Sequence, residues 1–393
     1  MKTHIFSLIL LAGTLSSCEL NQKDISPTDN FVKIYNHPDE NLAFYAESVL
    51  QLADGYLILS GIKNYNDNLN EYPTTSLIRT NSLGEVSWSN ESEWRAPVSN
   101  LLTFNGATGF VAMNASEDAY FVEVNIENGS LSSQALNLKM PLAAFVNSDG
   151  NLAILSYDYV SWSSVISLFS PSFTLLNSVN LFVGDDLVVP VQKHLNKADT
   201  QFPFFFGDWQ NESLSGFFVN CLSNYTLGVR FFTSDGNSTG GWIYSHQIEN
   251  AVSSLLHKEG NLYGMTRYFN RKNYLNSTVE VDVTSLQNFN DSTQNPIPEI
   301  VPDAKVEAIR ATFDNTDYLL FASTTNSNSI VIFKYSLEND ELLKEVEVSF
   351  AYNIEVRAII QDPSDEGIIL LAHHFVTGRY LRPVLIKIPK RDF

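Results

Sequence analysis

The chain has 393 residues, 44% of them hydrophobic and 17% charged, with a formal charge of −20 at pH 7. That is apolar enough for one large core or two ordinary ones, and too acidic to suit a nucleic-acid backbone or direct adsorption to anionic lipid. Aromatic residues make up 12%, with 26 Phe and 17 Tyr, which favours strands over helices.

Lys2 and the apolar run Ile5–Leu11 read as a targeting segment, and the run is too short to span a bilayer. Leu15-Ser16-Ser17-Cys18 follows. This resembles the lipobox of bacterial lipoproteins, in which small residues precede a Cys that is lipidated and becomes the mature N-terminus. The resemblance implies a signal peptide over 1–17 and an acyl anchor on Cys18. Residues 19–30 are polar, with no apolar periodicity, and read as a flexible tether, so 18–30 is set apart from a folded region of 31–393. With Cys18 lipidated, only Cys221 remains, inside the apolar run Phe217–Leu222. No intrachain disulfide is then possible, and Cys221 is expected to be a buried thiol.

Phe31–Tyr35 reads as a strand without a partner nearby in sequence. Residues 46–90 then carry four short strands. Ser48–Leu52 meets Tyr56–Gly61 across Ala53-Asp54-Gly55, and Ser76–Thr80 meets Glu85–Ser89 across Asn81–Gly84. Asp-Gly between two apolar runs is a strong hairpin signal, because both residues tolerate positive φ. The strand-turn-strand element recurs about every fifty residues. It returns at Leu101–Met113, Ala143–Ser156, Ser254–Met265, Ile309–Ala322 and Arg357–Ala372. A degenerate copy is expected between 183 and 209, with Val188–His194 and Phe202–Phe206 as its first two strands. Third strands are expected at Phe121–Val124, Val165–Phe169, Phe217–Cys221, Val279–Val283, Ile330–Tyr335 and Val384–Ile388. No segment shows a long helical period. The last unit stops after its third strand, and the spare N-terminal strand is what that unit lacks. The expectation is an all-β chain: a seven-bladed β-propeller of four-stranded antiparallel blades, closed by pairing of Phe31–Tyr35 with Val384–Ile388. The stretch Leu214–Gln247 offers one strand too many for this count, so six or eight blades stay open.

The segment Asp54-Gly55-Tyr56-Leu57-Ile58-Leu59-Ser60-Gly61, with Gly84-Glu85-Val86-Ser87-Trp88 behind it, resembles the blade repeat of secreted and lipid-anchored bacterial propellers. In those, "DG" precedes the second strand, and a turn Gly precedes a Trp near the fourth. The resemblance implies a fold and an address in the cell envelope, as an outer-membrane lipoprotein of a Gram-negative bacterium. It brings no site residues, since propellers host unrelated functions.

No Gly-x-Ser-x-Gly, Walker loop or dinucleotide fingerprint is present, and no cofactor or metal is expected. His373 and His374 are neighbours at a strand end and should point apart, which is poor geometry for a metal. Asn66–Glu71 lacks the ordered spacing of a calcium loop. The loops joining second to third strands are unusual, because loops are normally small and polar. They are expected to carry Trp162, Trp209, Tyr268, Arg271, Tyr274, Arg379 and Tyr380 on one shared face, with Tyr65, Tyr72, Tyr157, Tyr159 and Arg267 close by. Tyr, Trp and Arg together are typical interface anchors. The function expected is a non-enzymatic binding or scaffolding subunit whose partner is an outer-membrane or envelope protein complex for transport or secretion, or a glycan. The alternative is a carbohydrate-active lyase or glycosidase, for which Asp158 and Asp208 are the candidate carboxylates.

Overall fold

A computed structural model describes residues 29–64, 71–98, 100–198, 201–244, 251–289, 296–302, 304–376 and 380–393. The expected signal peptide, Cys18, Tyr65 and Arg379 lie outside them. Within them the chain is built from successive antiparallel meanders. β1 (Phe31–Ile34) comes first. β2 (Leu42–Leu52), β3 (Gly55–Asn64), β4 (Thr74–Asn81) and β5 (Val86–Arg95) pair in order, as do β6 (Leu102–Phe104), β7 (Ala107–Met113), β8 (Asp118–Val124) and β9 (Leu131–Lys139). These two meanders share one sheet, joined through the pair Arg95 and Met113. β10 (Pro141–Val146), β11 (Leu152–Asp158), β12 (Ser163–Phe169) and β13 (Leu175–Phe182) follow, and then a helix, α1 (Val188–Leu195). The next sheet is β14 (Phe205–Gln210), β15 (Ser215–Ser223), β16 (Thr226–Thr233) and β17 (Ser238–Tyr244).

β18 (Ala251–Glu259), β19 (Leu262–Phe269) and β20 (Lys272–Glu280) come next, then two short strands, β21 (Leu286–Gln287) and β22 (Pro296–Ile297). β22 completes the sheet of β18–β20, while β21 crosses back to lie parallel on β17. β23 (Glu307–Phe313), β24 (Thr316–Thr324), β25 (Ser329–Ser336) and β26 (Leu342–Ser349) form one more meander. Last come β27 (Ile354–Gln361), β28 (Ile368–Phe375) and β29 (Leu381–Ile388). The fourth strand of this sheet is β1, in register from Phe31 opposite Lys387 to Ile34 opposite Val384. The pairing expected of the spare N-terminal strand is therefore present.

Burial explains the apolar pattern. β3 is buried at its first eight positions, so Tyr56–Leu59 reads as an unbroken apolar run, as a strand covered on both faces does. Fourth strands such as β13 alternate between exposed and half-buried positions. Gly55 is required where β4 comes close, since a Cβ there would sit 2.0 Å from the Thr80 carbonyl oxygen. Apolar side chains fill the spaces between consecutive meanders; Leu57, Leu59 and Leu77 meet Phe110, Ala112 and Val122, for example. A further cluster joins the last sheet to the first, with Ile369, Leu371 and Leu385 against Ala46, Val49, Tyr56 and Ile58.

The stretch 183–209 corrects the sequence reading. Val188–Leu195 is helix, and of Phe202–Phe206 only the end belongs to a strand, which is the first of its sheet. Phe217–Cys221 therefore lies in a second strand, and no strand is left over in 214–244. Leu187, Val191 and Leu195 recur every fourth residue and are all buried, giving the helix one apolar face. Pro190 sits in the first turn, where its missing N–H costs nothing. The helix ends at Asn196, and Lys197 turns the chain with φ 57°. The third strand expected at Val279–Val283 also begins earlier, at Lys272. Cys221 is buried as expected, and burial pushes its thiol pKa up to about 12, which leaves it inert.

Candidate functional site

Strand direction sorts the connections into two ends. Those from second to third strands emerge at one end, together with those from each fourth strand to the next first strand. The β11–β12 loop, the β15–β16 and β19–β20 turns, the β28–β29 loop and α1 share that end.

The structure divides the expected binding residues. Trp162 is 42% exposed in the β11–β12 loop and has a left-handed backbone, φ 51°. Arg271 is exposed at the two-residue turn it forms with Asn270. Tyr268 is half-buried at the end of β19, and Tyr380 is half-buried ahead of β29. Tyr274 is a correction, since it lies within β20 and is buried. Trp209 is another. It lies in β14 near the opposite end, 1% exposed, and its indole N–H points to the carbonyls of Phe217 at 3.2 Å and Phe232 at 3.1 Å. With no Asp-Gly in this stretch, the first strand of the sheet is easily taken for the second. Trp209→Phe should cost about 1–3 kcal/mol of stability through the lost donor and leave partner binding unchanged, as read from melting curves and pull-downs.

His373 and His374 lie near the end of β28, and both are buried. They do point apart. His373 Nε2 lies 2.7 Å from Glu355 Oε2, and His374 Nδ1 lies 2.9 Å from the Asn353 carbonyl. Burial opposes a charge on Glu355, but His373 and Arg357 outweigh it and hold the carboxyl well below its usual range.

The two candidate catalytic carboxylates do not converge. Asp158 ends β11 and accepts hydrogen bonds from the Ser161 hydroxyl and the Val160 N–H, which keep its pKa low. Asp208 lies in β14 near the other end, where burial raises its pKa to about 6. Among the described residues, no three His, Cys, Asp or Glu side chains are grouped to hold a metal ion.

α1 and the turn after it lie among the first strands. Lys197 Nζ is 2.6 Å from Glu47 Oε1 on β2, and both side chains are nearly buried. Glu47 Oε2 is 3.9 Å from Arg357 on β27, which itself bridges Glu355 at 2.9 Å. Lys305, ahead of β23, pairs with Glu307 and donates to the Arg357 carbonyl at 2.9 Å. Lys63 of β3 donates to the Asn196 carbonyl at 3.1 Å. His194 is buried on α1, where it accepts the Phe202 N–H. Burial first, then Lys197, Arg357 and Lys305, hold it neutral. Beside this network is a cavity of about 170 Å³, lined by Ala143–Phe145, Pro203–Phe206, Ser253–Leu255 and Lys305–Ala308.

One corner of the same end is apolar. Tyr159, Val160, Trp162, Phe182, Val189 and Tyr225 are all large and 41% exposed or more. Four of them carry no sequence signal: Phe182 closes an alternating strand, Val189 lies on a helix too short to show a period, Tyr225 sits in a two-residue turn, and Val160 is a lone aliphatic residue beside Tyr159.

No family model and no curated protein matches the chain. Solved structures do. The β-propeller domain of the Trilobed protease from Pyrococcus furiosus is 12% identical, with a TM-score of 0.45, over 88% of this chain and 98% of that one. The NanB sialidase from Streptococcus pneumoniae is 11% identical, with a TM-score of 0.46, over 94% of this chain and 71% of that one. The sialidase of Trypanosoma rangeli is 9% identical, with a TM-score of 0.41, over 88% and 55%. The chain's own strands make it all-β, and a β-propeller domain is among the solved structures it resembles. Likeness at this level says nothing of activity or ligand.

Proposed function

We propose that this chain is a seven-bladed β-propeller closed by β1, held at the bacterial envelope through a lipidated Cys18, and acting as a binding or scaffolding subunit of an envelope protein complex. Seven meanders support this blade count, with the eight-stranded sheet divided at its one joining pair and β1 counted with β27–β29.

The observation that carries the binding reading is that the charged groups among the first strands are already paired. A propeller enzyme would need open carboxylates, and Glu47 and Glu355 are answered by Lys197, Arg357 and His373. What remains for recognition is the outer surface of the end that bears α1. β1 runs toward this end, so the chain enters the fold from the opposite one. A lipid on Cys18 would then leave the aromatic end free for a partner.

The test is a pull-down from solubilised membranes, with Cys18→Ala, Trp162→Ala, Arg271→Ala and Tyr380→Ala alongside the unaltered protein. Cys18→Ala should leave the membrane fraction. At least two of the other three should each weaken capture by about 1–3 kcal/mol, the hot-spot range. Melting temperatures should hardly move for Trp162 and Arg271, because exposed loop residues add little to the core. Full capture by all three variants, with or without early melting, would end the binding-face reading.

A further inference from the structure

Three connections meet at the apolar corner, and backbone hydrogen bonds tie them together. Val183 N–H donates to the Trp162 carbonyl at 2.8 Å. Asn224 N–H donates to Phe182 at 2.7 Å, and Tyr225 N–H to Val183 at 2.8 Å. The rings of Phe182 and Tyr225 meet edge to face with centroids 6.0 Å apart. Gly184 is fixed beneath them, since a Cβ there would lie 2.1 Å from the Tyr225 ring. Trp162 and Tyr225 both have left-handed backbones, at φ 51° and 60°. Such conformations are costly for bulky side chains and persist only where the surroundings impose them. The result is a rigid surface that holds aromatic rings out to water, so a partner loses little in ordering it.

The carboxylates at this surface are not paired with its cations; Arg230, whose guanidinium donates to Ser223 Oγ at 2.8 Å, two residues before Tyr225, lies over the Trp242 ring. Asp158 borders the surface beside Tyr159, and Asp185 and Asp186 border it after Gly184. All three lie within electrostatic reach of the buried Tyr157, whose hydroxyl faces the Gly184 carbonyl at 3.5 Å. None of the three forms an ion pair among the described residues. Lys139, which reaches Tyr159 electrostatically, is committed to Asp118 at 2.6 Å and to the Ser116 carbonyl. α1 adds one exposed cation, Lys193, at its last turn, away from Asp185 and Asp186 at its start. Aromatic faces bordered by unanswered carboxylates complement guanidinium and ammonium groups, which stack on the rings while pairing with the carboxylates.

We propose that this corner docks a basic polypeptide segment, with Arg or Lys side chains seated on Trp162 and Tyr225 and paired with Asp185 and Asp186. The proposal rests on the binding reading above and names the partner's chemistry.

The test uses the detergent-solubilised full chain and a fluorescent decaarginine, read by anisotropy at two salt concentrations. Trp162→Ala and the double variant Asp185→Asn, Asp186→Asn should each weaken binding about tenfold, the scale of one interface anchor. The salt dependence should fall for the double variant alone. Glu345→Gln with Glu347→Gln on β26, both exposed and distant, changes net charge equally and should leave affinity as it was. An equal loss in that control would mean that decaarginine senses only net charge, and the inference fails. It also fails if a neutral cellohexaose binds in a Trp162-dependent way while decaarginine does not, or if Trp162→Ala instead breaks a dimer seen in sedimentation. In those cases the binding-face reading stands if the pull-down still depends on Trp162, Arg271 or Tyr380, and falls with the inference if it does not.

Discussion

Deleting residues 1–35 should turn the protein into an aggregating one, whereas deleting 1–28 should leave its melting temperature unchanged. The difference is β1. All four of its residues pair with β29, and Tyr35 N–H adds a bond to the Pro383 carbonyl. Phe31 and Tyr35 are 6% and 7% exposed. Phe31 packs on Tyr56 of β3, and the Tyr35 hydroxyl donates to the Gly84 carbonyl at 3.0 Å. β1 thus touches both its own sheet and the first meander. Removing two such aromatic side chains forfeits about 1.5–3 kcal/mol each in burial alone. It also bares the edge of β29, whose Val384–Ile388 stretch is buried throughout. An unpaired apolar edge is a template for pairing with another chain. Light scattering and thermal melts of the 29–393 and 36–393 forms decide the matter. Equal melting and no scattering from either would show that β1 closes nothing.

What the sequence made legible follows from where burial is simple. β3, β11, β24 and β28 are covered on both faces, so they appear as continuous apolar runs, and turn residues mark their starts. The missing last strand and the spare first one could be matched by counting alone. α1 was hidden for a physical reason. Its eight residues span barely two turns and begin Val-Val-Pro-Val, where β-branched side chains imitate a strand. Its helical character comes from tertiary burial of Leu187, Val191 and Leu195, which no local propensity records. Missing the helix shifted the strand count by one, and that carried Trp209 from a buried first strand to an imagined loop. Strand parity puts Trp162, Arg271 and Tyr380 in connections of one kind, and all three lie outside the strands there, whereas Trp209 and Tyr274 lie within strands. The apolar corner is not legible in the sequence, because Phe182 and Tyr225 are 43 positions apart and are brought together by backbone bonds from Asn224 and Tyr225 and by their ring contact.

Lys387→Met should destabilise the protein by about 3–5 kcal/mol at pH 7, the cost of leaving a buried charge without its partner. Lys387 Nζ lies 2.8 Å from Asp362 Oδ2 and 2.7 Å from Asp365 Oδ2, with side chains 1%, 3% and 14% exposed. Asp362 also accepts from Gln51 at 2.6 Å and from the Tyr56 hydroxyl at 3.1 Å, so the cluster ties the last sheet to the first meander. Burial alone would raise the Asp362 pKa, but Lys387, then Ser364 and Gln51, outweigh it and hold the carboxyl well below its usual range. A folded pKa below the unfolded one, near 3.9, gives stability that is complete above about pH 5 and is lost as pH falls below that value. In Lys387→Met the chief opposing group is gone, and burial should lift the Asp362 pKa above its unfolded value. The sign then reverses, and protonation relieves the variant as the pH falls. The gap in unfolding free energy between the two proteins should therefore be widest near pH 7 and narrow toward pH 4. Urea unfolding at pH 7, 5.5 and 4 measures it. A gap that stays constant across the three would show that the lost stability comes from packing of the lysine stem and not from the charge it neutralises.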